Sequence, residues 1–383
     1  MNKIKSILIA GLFFITAGAG FSQTRTITLP EAISLAKSNN SDLVIARFDE
    51  LKANEYVSQV YSENLVPTIT LGSTYQRNFK KQVLNFAGQS VFLGTDNAIT
   101  TSLSLNEPIP LLGTPVFSGI QIAKYYSDLA QKNTKSKEIK VTSTVKKSYY
   151  GVLLAKQVID VNKASLDNAQ SNLTVVESRY RNGVATEFDY LRAKVKVDNI
   201  IPSLSSSQSN LLLSKKNLKN AIGNKTDEEF DVMGNLSYDS TEVFGTTDAL
   251  LERVAKENIS VKQLSVSKLI NQELIRVDKA TYMPKLYAFA NYGLTSNEDD
   301  GRSLDRYRFF NTFNKGIGLS WNLNFFRTDY KVHQSEIEVR KSDELIADVK
   351  SKLKIQAQSV LLRIEDAKKR IRAQYETVKL SER

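Results

Sequence analysis

An internal duplication constrains the fold of this chain more than any other feature, because both halves must then build the same kinds of element. In each half a proline ends a helical pattern and starts an alternating one, as in VPTITLGSTY and MPKLYAFANYG. The matched segments are offset by 217, 219 and 216 residues, and such constant offsets indicate a repeated unit rather than chance. They begin at Val66 and Met283, at Ala36 and Ala255, and at Leu103 and Leu319.

Each unit reads as helix, strand, loop, strand and long helix. The strands alternate with a period of two, so that Ile69, Leu71 and Tyr75 share one face of the first. Alternation over about ten residues with aromatics near the ends is typical of membrane strands, although a soluble antiparallel sheet would carry the same pattern. The polar segments 77–96 and 296–313 predict exposed loops between two antiparallel pairs in one sheet. The predicted strands lie near 68–77, 97–107, 285–295 and 315–325.

The helices are predicted to be long and to pack as coiled coils. Residues 119–183 contain no proline and one internal glycine, and this run would reach ~95 Å if helical throughout. Apolar and small residues recur at alternating spacings of three and four along 145–180 and again along 190–221. This seam predicts that helices near 119–182 and 187–222 pack antiparallel.

Two local features modify these helices. Pro202 is expected to interrupt and kink the second helix. The C-terminal helix, residues 327–383, carries a similar seam from Val332 to Val360, which then slips by one residue to Ile364.

The N-terminus resembles a secretory signal. Lys3 and Lys5 precede the apolar stretch 7–15 and a run of small residues, so residues 1–22 are predicted to be a signal peptide, cleaved after Ala19 or after Ser22. The apolar run is short for a transmembrane anchor. With a mean hydropathy of −0.29 and no cysteine, the remainder is expected to be an exported protein, either soluble or a membrane β-barrel.

The composition argues against several functional classes. The net charge of +11 is spread along helices among acidic residues and forms no compact basic cluster, which argues against nucleic acid as a partner. The sequence has a single histidine, His333, and no cysteine. It also has no glycine-rich phosphate-binding loop and no pattern of carboxylate, histidine and nucleophile typical of an active site. We therefore predict no enzymatic activity, no catalytic residue, no cofactor and no metal site.

The segment YRNGVATEFDYLRA, from Tyr180, predicts a tight turn between the two antiparallel helices. Gly183, preceded by Asn182, suits the left-handed position after a helix end. Thr186 and Asp189 form a capping-box start for the next helix, with Asp in place of Glu. Tyr180, Asn182 and Asp189 are the predicted turn-capping residues.

This turn closely resembles the signature turn of the TolC-like outer membrane efflux protein family. Tyr180, Gly183, Asp189, Leu191 and Ala193 occupy the positions of that family's pattern. The resemblance extends over the chain after the signal peptide and includes the proline-started strands. The chain departs from the family where it reads NEPIPLLG between strand and helix, since the family usually has a Pro-Leu-Phe-x-Gly-Gly-like passage there.

The resemblance implies a mainly α fold with membrane β structure. Long antiparallel coiled-coil helices would form a periplasmic α-barrel, and each chain would add four strands to a shared 12-stranded outer-membrane β-barrel. Four strands cannot close a barrel, and lipid does not tolerate unpaired edges, so several copies must pool their strands. The family implies a homotrimer.

The implied function is that of a passive conduit in a tripartite efflux or type I secretion system, exporting drugs, metals or secreted proteins. Its partners would be a periplasmic adaptor protein, an inner-membrane transporter and outer membrane lipid. The predicted turn would lie at the periplasmic tip, and its residues are expected to contact the adaptor. This adaptor-contact set is Gly183, Val184, Ala185 and Thr186.

The domain order follows from the duplication. By the repeat offset, the counterpart of the Gly183 turn would lie beyond Arg383, so the second repeat is expected to be C-terminally incomplete.

An alternative function, an exported coiled-coil surface stalk or adhesin, explains the heptads but not the proline-started strands. The predicted domains are signal peptide 1–22, first repeat 23–223 (strand pair 68–107, helical hairpin 115–222), inter-repeat segment 224–247, and second repeat 248–383 (strand pair 285–325, helix 327–383).

Overall fold

The structure is a computed structural model that describes residues 25–86, 88–111, 114–224, 229–236 and 246–381. The predicted signal peptide lies outside these residues. In chain order the elements are β1 (Arg25–Ile27), α1 (Leu29–Asn39), α2 (Ser41–Leu65), β2 (Thr68–Arg77), β3 (Gln82–Phe86), β4 (Gln89–Leu93), β5 (Asn97–Pro108), α3 (Val116–Arg181), α4 (Glu187–Ile222), β6 (Phe230–Val232), α5 (Thr247–Glu257), α6 (Ile259–Ala280), β7 (Lys285–Glu298), a 3₁₀ turn (Leu304–Arg306), β8 (Phe310–Ser320) and α7 (Phe325–Ser381).

Contacts divide the chain into two compact units. The first holds the chain up to Asn40 and from 141 to 238, and the second holds 41–140 and 239–383. The first unit therefore contains β1, α1, the later part of α3, α4 and β6. The second contains α2, the start of α3, the larger sheet and α5 to α7.

In the first unit, α3 packs antiparallel to α4 along the predicted seam. Tyr180 stacks on Tyr190 with ring centroids 5.5 Å apart, and the side-chain amide of Asn162 lies 3.5 Å from the carbonyl oxygen of Ser203. Every seam position from Val145 to Val176 and from Tyr190 to Ala221 is buried or half-buried. The 3–4 spacing thus predicted the packed side of both helices.

The predicted interruption at Pro202 is wrong, because α4 continues unbroken from Glu187 to Ile222. Proline removes one intrahelical hydrogen bond. Val197 and Ser207 are buried on either side of it, and tertiary packing of this kind supplies most of the stability of helices in proteins.

A short parallel strand pair, β1 with β6, holds the helices of the first unit together. The buried Tyr149 of α3 directs its hydroxyl at the backbone carbonyls of Ile27 and Met233. Asp231 of β6 pairs with Lys156 of α3 at 2.8 Å and with Lys215 of α4 at 3.0 Å. Burial by itself would raise the pKa of Asp231, but the hydrogen bonds from the two lysines outweigh it and lower that pKa.

This strand pair was missed by the sequence analysis, which described residues 224–247 only as an inter-repeat segment. Three-residue strands are too short to show a period of two. The end of α4 is fixed in the same unit: Gly223 has a φ of 75°, and Asn40 donates a side-chain hydrogen bond of 2.9 Å to the carbonyl of Ala221.

In the second unit, α7 packs antiparallel to α6. Lys268 pairs with Asp343, and Ser335 donates a hydrogen bond to Asp278. The predicted seam holds from Val332 to Leu353, but its slip was misplaced: the half-buried positions continue at Ala357, Leu361 and Ile364, while Gln356 and Val360 are exposed. Spacings of four follow the natural drift of a straight helix past a strict heptad.

The larger sheet confirms the expected arrangement of four strands in one antiparallel sheet. Its order is β2-β5-β7-β8, so β5 and β7 join the two predicted pairs. The backbone register runs from Leu71 to Leu103, then to Tyr292, then to Phe313. Strands β2 and β8 form the two open edges among the described residues.

Two features of this region differ from the prediction. The polar segment 77–96 contains a hairpin, β3 with β4. Strand β8 begins and ends five residues earlier than predicted, at Phe310 and Ser320. Its last residue, Ser320, pairs with Lys285, the first residue of β7, and the Asn324 side chain then accepts a hydrogen bond from the backbone N–H of Arg327 at the start of α7.

We predict that Gly223→Ala destabilises the first unit. The added methyl carbon would lie 2.5 Å from the carbonyl oxygen of Asn39, and a left-handed backbone costs a non-glycine residue about 1–2 kcal/mol even without a clash. The measurement is loss of helical circular dichroism in urea for detergent-solubilised protein.

Gly151→Ala is the matched control, since Gly151 lies inside α3 with open space around its Cα. It should raise stability by up to about 1 kcal/mol. Equal midpoints for the two variants would contradict the packing described at Gly223.

Candidate functional site

The turn between α3 and α4 is built as the sequence predicted. Gly183 adopts a φ of 74°, in the left-handed region. Its N–H donates to the carbonyl of Tyr180 at 3.0 Å, and the N–H of Val184 donates to that of Arg179 at 2.8 Å. These bonds satisfy carbonyls at the end of α3 that would otherwise have no partner.

The start of α4 is closed by a reciprocal cap. The Thr186 hydroxyl accepts a bond from the Asp189 N–H at 3.2 Å, and the Asp189 carboxylate accepts bonds from the Thr186 hydroxyl at 2.7 Å and from its N–H at 3.2 Å. These hydrogen bonds, the hydroxyl first and the N–H second, lower the pKa of Asp189. The predicted capping box is therefore confirmed.

The three predicted turn-capping residues have different roles. Asp189 makes the cap, and Tyr180 contributes its carbonyl and the stacking of its ring on Tyr190. Asn182 contributes its backbone N–H, which donates to the carbonyl of Ser178 at 3.2 Å. The turn is thus held by bonds within its own segment.

Two large apolar side chains are exposed at this turn among polar ones. Val184 is 77% exposed and Phe188 is 71% exposed, with Leu191 and Val195 also exposed further along α4. Phe188, Leu191 and Val195 recur at spacings of three and four, so they form a second stripe on α4, separate from the seam with α3, and Val184 lies in the turn just before it. The sequence analysis named Val184 but missed Phe188, although this second spacing could have revealed it.

The four predicted contact residues lie together on this turn. Gly183, Val184 and Thr186 are exposed, and Ala185 is half-buried. An added carbon at Gly183 would meet nothing within 4 Å, so only its backbone conformation restricts that position. Adaptor binding by this set stays a prediction.

The second candidate site is the sheet, whose two faces differ in chemistry. Leu71 and Ile317 belong to the first face and are 73% and 72% exposed. We call this the apolar face; alternation and register assign to it Ile69, Leu71, Tyr75, Ile99, Leu103, Leu105, Tyr292, Leu294, Phe313, Ile317 and Leu319, and also polar residues, among them Ser73, Thr101, Glu107, Ser296, Asn311 and Lys315. The opposite, polar face carries hydroxyl and amide side chains, among them Thr70, Thr74, Ser102, Ser104, Asn106, Asn291, Thr295, Thr312 and Asn314.

Two aromatic residues on the polar face cover glycines of the neighbouring strand. Phe289 lies over Gly316 and Tyr287 over Gly318, where an added methyl carbon would come within 3.0 Å and 2.3 Å of the rings. A larger residue at either position would have to displace the ring that lies over it, most of all at Gly318. This packing fixes β8 against β7.

Charged residues gather where the strand-connecting loops meet. Lys81 bonds Asp299 at 2.7 Å, and Arg77 bonds Asp300 at 2.9 Å. The hydrogen bond between Lys81 and Asp299 is the main cause that raises the pKa of the lysine and lowers that of the carboxylate. At the opposite end of the sheet, Trp321 donates its indole N–H to the carbonyl of Tyr282.

The described residues hold no group of three or more His, Cys, Asp and Glu side chains that could bind a metal ion. His333 is exposed and lies 3.5 Å from Asp329. Within the part of the chain that the structure covers, no helix is both long and apolar enough to cross a membrane.

The combination of a coiled-coil hairpin and a two-faced sheet is that of bacterial outer membrane channels. CusC matches with a TM-score of 0.70 and 14% identity, over 98% of this chain and 85% of that one. VceC of Vibrio cholerae matches with a TM-score of 0.71 and 12% identity, over 92% of this chain and 83% of that one. CmeC of Campylobacter jejuni matches with a TM-score of 0.66 and 17% identity, over 91% and 72%.

Residues 32–224 match the family described as Outer membrane efflux protein. The chain belongs to this family and is a TolC-like outer membrane factor. It is 23% identical to outer membrane protein TolC of Escherichia coli (strain K12) over 340 residues and 21% identical to TolC of Salmonella enteritidis over 330 residues. Both alignments cover 85% of this chain and 64% of the relative, so the chain spans somewhat less than two thirds of their length. The family is one of channels rather than enzymes.

We predict that Thr186→Ala lowers the stability of the hairpin by about 1 kcal/mol, because a helix N-cap bond is lost. Thr186→Ser keeps the hydroxyl and should stay close to wild type. Hydrogen exchange of the amides at the start of α4 is the local readout. If these amides exchange equally fast in the Thr186→Ala and Thr186→Ser variants, the cap does not stabilise the helix.

The same cap should depend on pH. The pKa of Asp189 is lowered in the folded state, so its stabilising effect is fully present above the ordinary carboxyl pKa and is lost as pH falls through the lowered value. The protection of the amides at the start of α4, relative to their intrinsic exchange rates at each pH, should therefore fall only at acidic pH. In Asp189→Asn this acid-dependent step should be absent.

Proposed function

We propose that this chain is one protomer of a passive outer-membrane efflux channel. The observation that carries the proposal is the two-faced sheet: one face carries most of its exposed large apolar side chains, which suits lipid, and the other carries mainly hydroxyl and amide groups, which suit a water-filled passage. A surface stalk or adhesin would need the coiled coil but not an apolar sheet face of this extent.

The sheet is the membrane-inserted part in this proposal. Its four strands are too few to close a barrel, and lipid leaves open edges unsatisfied. Three copies would supply a 12-stranded barrel, which the family resemblance favours. Because the strands alternate in direction from β2 to β8, β8 of one copy can pair antiparallel with β2 of the next.

The helices would form the periplasmic α-barrel of the trimer. Support comes from the seam of α3 and α4 and from that of α6 and α7, both antiparallel. A duplicated origin is supported by α1 and α5, which each have 11 residues and are each followed by a longer helix after one residue.

We place the turn at Gly183 at the periplasmic tip, where a periplasmic adaptor protein would dock and connect the channel to an inner-membrane transporter. The exposed Val184 and Phe188 offer the apolar contact area that such docking needs. The cargo would be drugs, metals or secreted proteins. The polar face suits a passage for varied cargo, since it presents uncharged hydroxyl and amide groups along the strands.

We predict that Gly183→Val lowers export more than it lowers the amount of folded channel. A β-branched residue strongly disfavours a φ of 74°, so the turn and its apolar surface would change shape. Drug sensitivity of cells is measured beside the abundance of trimer-sized, heat-modifiable protein in the outer-membrane fraction.

Gly183→Asn serves as the control, because asparagine tolerates the left-handed region and meets no neighbour there. It should retain most of the export. Normal drug resistance of the Gly183→Val strain at normal channel abundance would show that the turn has no role in export. Absence of the wild-type protein from the outer-membrane fraction would contradict the proposal that the chain forms an outer-membrane channel.

A further inference from the structure

The open edges of the sheet carry enough information to assign how two copies pair. We infer that Thr68–Arg77 of β2 pairs antiparallel with Asn311–Ser320 of β8 in the neighbouring copy, so that Leu71 lies opposite Ile317. This inference rests on the proposed ring of copies. It adds to that ring the pairing of residues at the junction between subunits.

The first step is the stagger that closure of a barrel requires. Within one chain the register leads from Leu71 across the sheet to Phe313. Barrel strands tilt by about 35–45° and lie about 4.8 Å apart, so crossing four strands displaces the register by about four to six residues. Phe313 therefore cannot face Leu71 of the next copy, and its partner lies four to six residues away.

The second step is the direction of the displacement. Toward lower numbers, Phe313 would face residues 65–67, which precede the first residue of β2, Thr68. Most of both edges would then lack backbone partners, which lipid does not permit. Toward higher numbers, Phe313 faces Tyr75, Gln76 or Arg77, and both edges are paired.

The third step uses the faces of the sheet. Residues directly opposite each other in neighbouring strands point to the same face. Phe313 and Tyr75 are on the apolar face, whereas Gln76 is on the polar face. A displacement of five residues is thereby excluded, and four and six remain.

The fourth step is the match of side chains and strand lengths. A displacement of four pairs all of β2 with β8 and gives three apolar pairs, with Ser73 opposite Lys315, whereas a displacement of six sets Arg77 against Phe313 and Tyr75 against Lys315. It also leaves the first residues of β2 beyond the end of β8. Favourable cross-strand pairs each contribute to sheet stability. The apolar pairs at a displacement of four are Ile69 with Leu319, Leu71 with Ile317, and Tyr75 with Phe313.

An exposed aromatic beyond the strand ends agrees with this register. Phe79, two residues after β2, is 88% exposed and holds the Arg77 guanidinium 5.6 Å from its ring. Continuing the pairing brings Phe79 level with Phe309 of the neighbour, which is also exposed in the single chain. The junction would thus end in an aromatic contact.

Cysteine pairs can test the register because the chain contains no cysteine. Leu71→Cys in one tagged chain is co-expressed with Ile317→Cys in a differently tagged chain, and outer-membrane fractions are mildly oxidised. We expect a disulfide-linked heterodimer on non-reducing gels. The disulfide must join two chains, since β2 and β8 of one chain are separated by about 14 Å and disulfide-linked Cα atoms by less than about 7 Å.

Two matched variants on the same exposed face distinguish the other registers. Phe313→Cys with Leu71→Cys reports a junction without stagger, and Leu319→Cys with Leu71→Cys reports a displacement of six. The Ile317→Cys pairing should exceed both by at least tenfold. If either control dominates, or if trimer-sized protein forms without any of the three cross-links, the register is wrong while the ring stands. If the variants are abundant but migrate as monomers without cross-links, the ring fails and the proposed function with it.

Discussion

The need of every backbone N–H and C=O for a partner governs the whole organisation of this chain. In the four-stranded sheet, β5 and β7 satisfy their groups on both sides, but β2 and β8 each leave one row open. Water can satisfy such rows and lipid cannot. In the proposed membrane-inserted sheet, the two open edges would leave one copy incomplete, and further copies would supply the missing backbone partners.

The coiled-coil parts answer a different physical demand. Their seams are narrow and contain small residues such as Ala193 and Ser207, so little apolar area is buried per turn. In the first unit, ion pairs and hydrogen bonds between elements add to the small apolar contact area. Asp231 is shared by Lys156 and Lys215, and Tyr149 reaches the carbonyls on both sides of the β1–β6 pair. Partly buried charge pairs of this kind add little net stability, although removing one partner would leave the other charge uncompensated.

Two kinds of feature could be predicted from the sequence: those that follow a strict residue spacing, and those held by hydrogen bonds between residues close together in the chain. The 3–4 spacing identified the buried side of α3 and α4, and Gly183, Thr186 and Asp189 identified the turn because its bonds lie within a few residues. What could not be predicted depends on distant partners. The β1–β6 pair joins Ile27 to Val232, and the extension of β8 to Phe310 depends on its partner β7.

The turn after Gly183 separates the residues that stabilise it from the residues that it displays. Its hydrogen bonds use backbone groups and the Thr186–Asp189 pair, while Val184 and Phe188 make the outer surface. Substitutions at those two outward positions leave every bond of the turn in place. In the proposed docking role, such a division would make the surface evolvable: a lineage could change which partner it binds through one or two side chains, with the hairpin beneath unaltered.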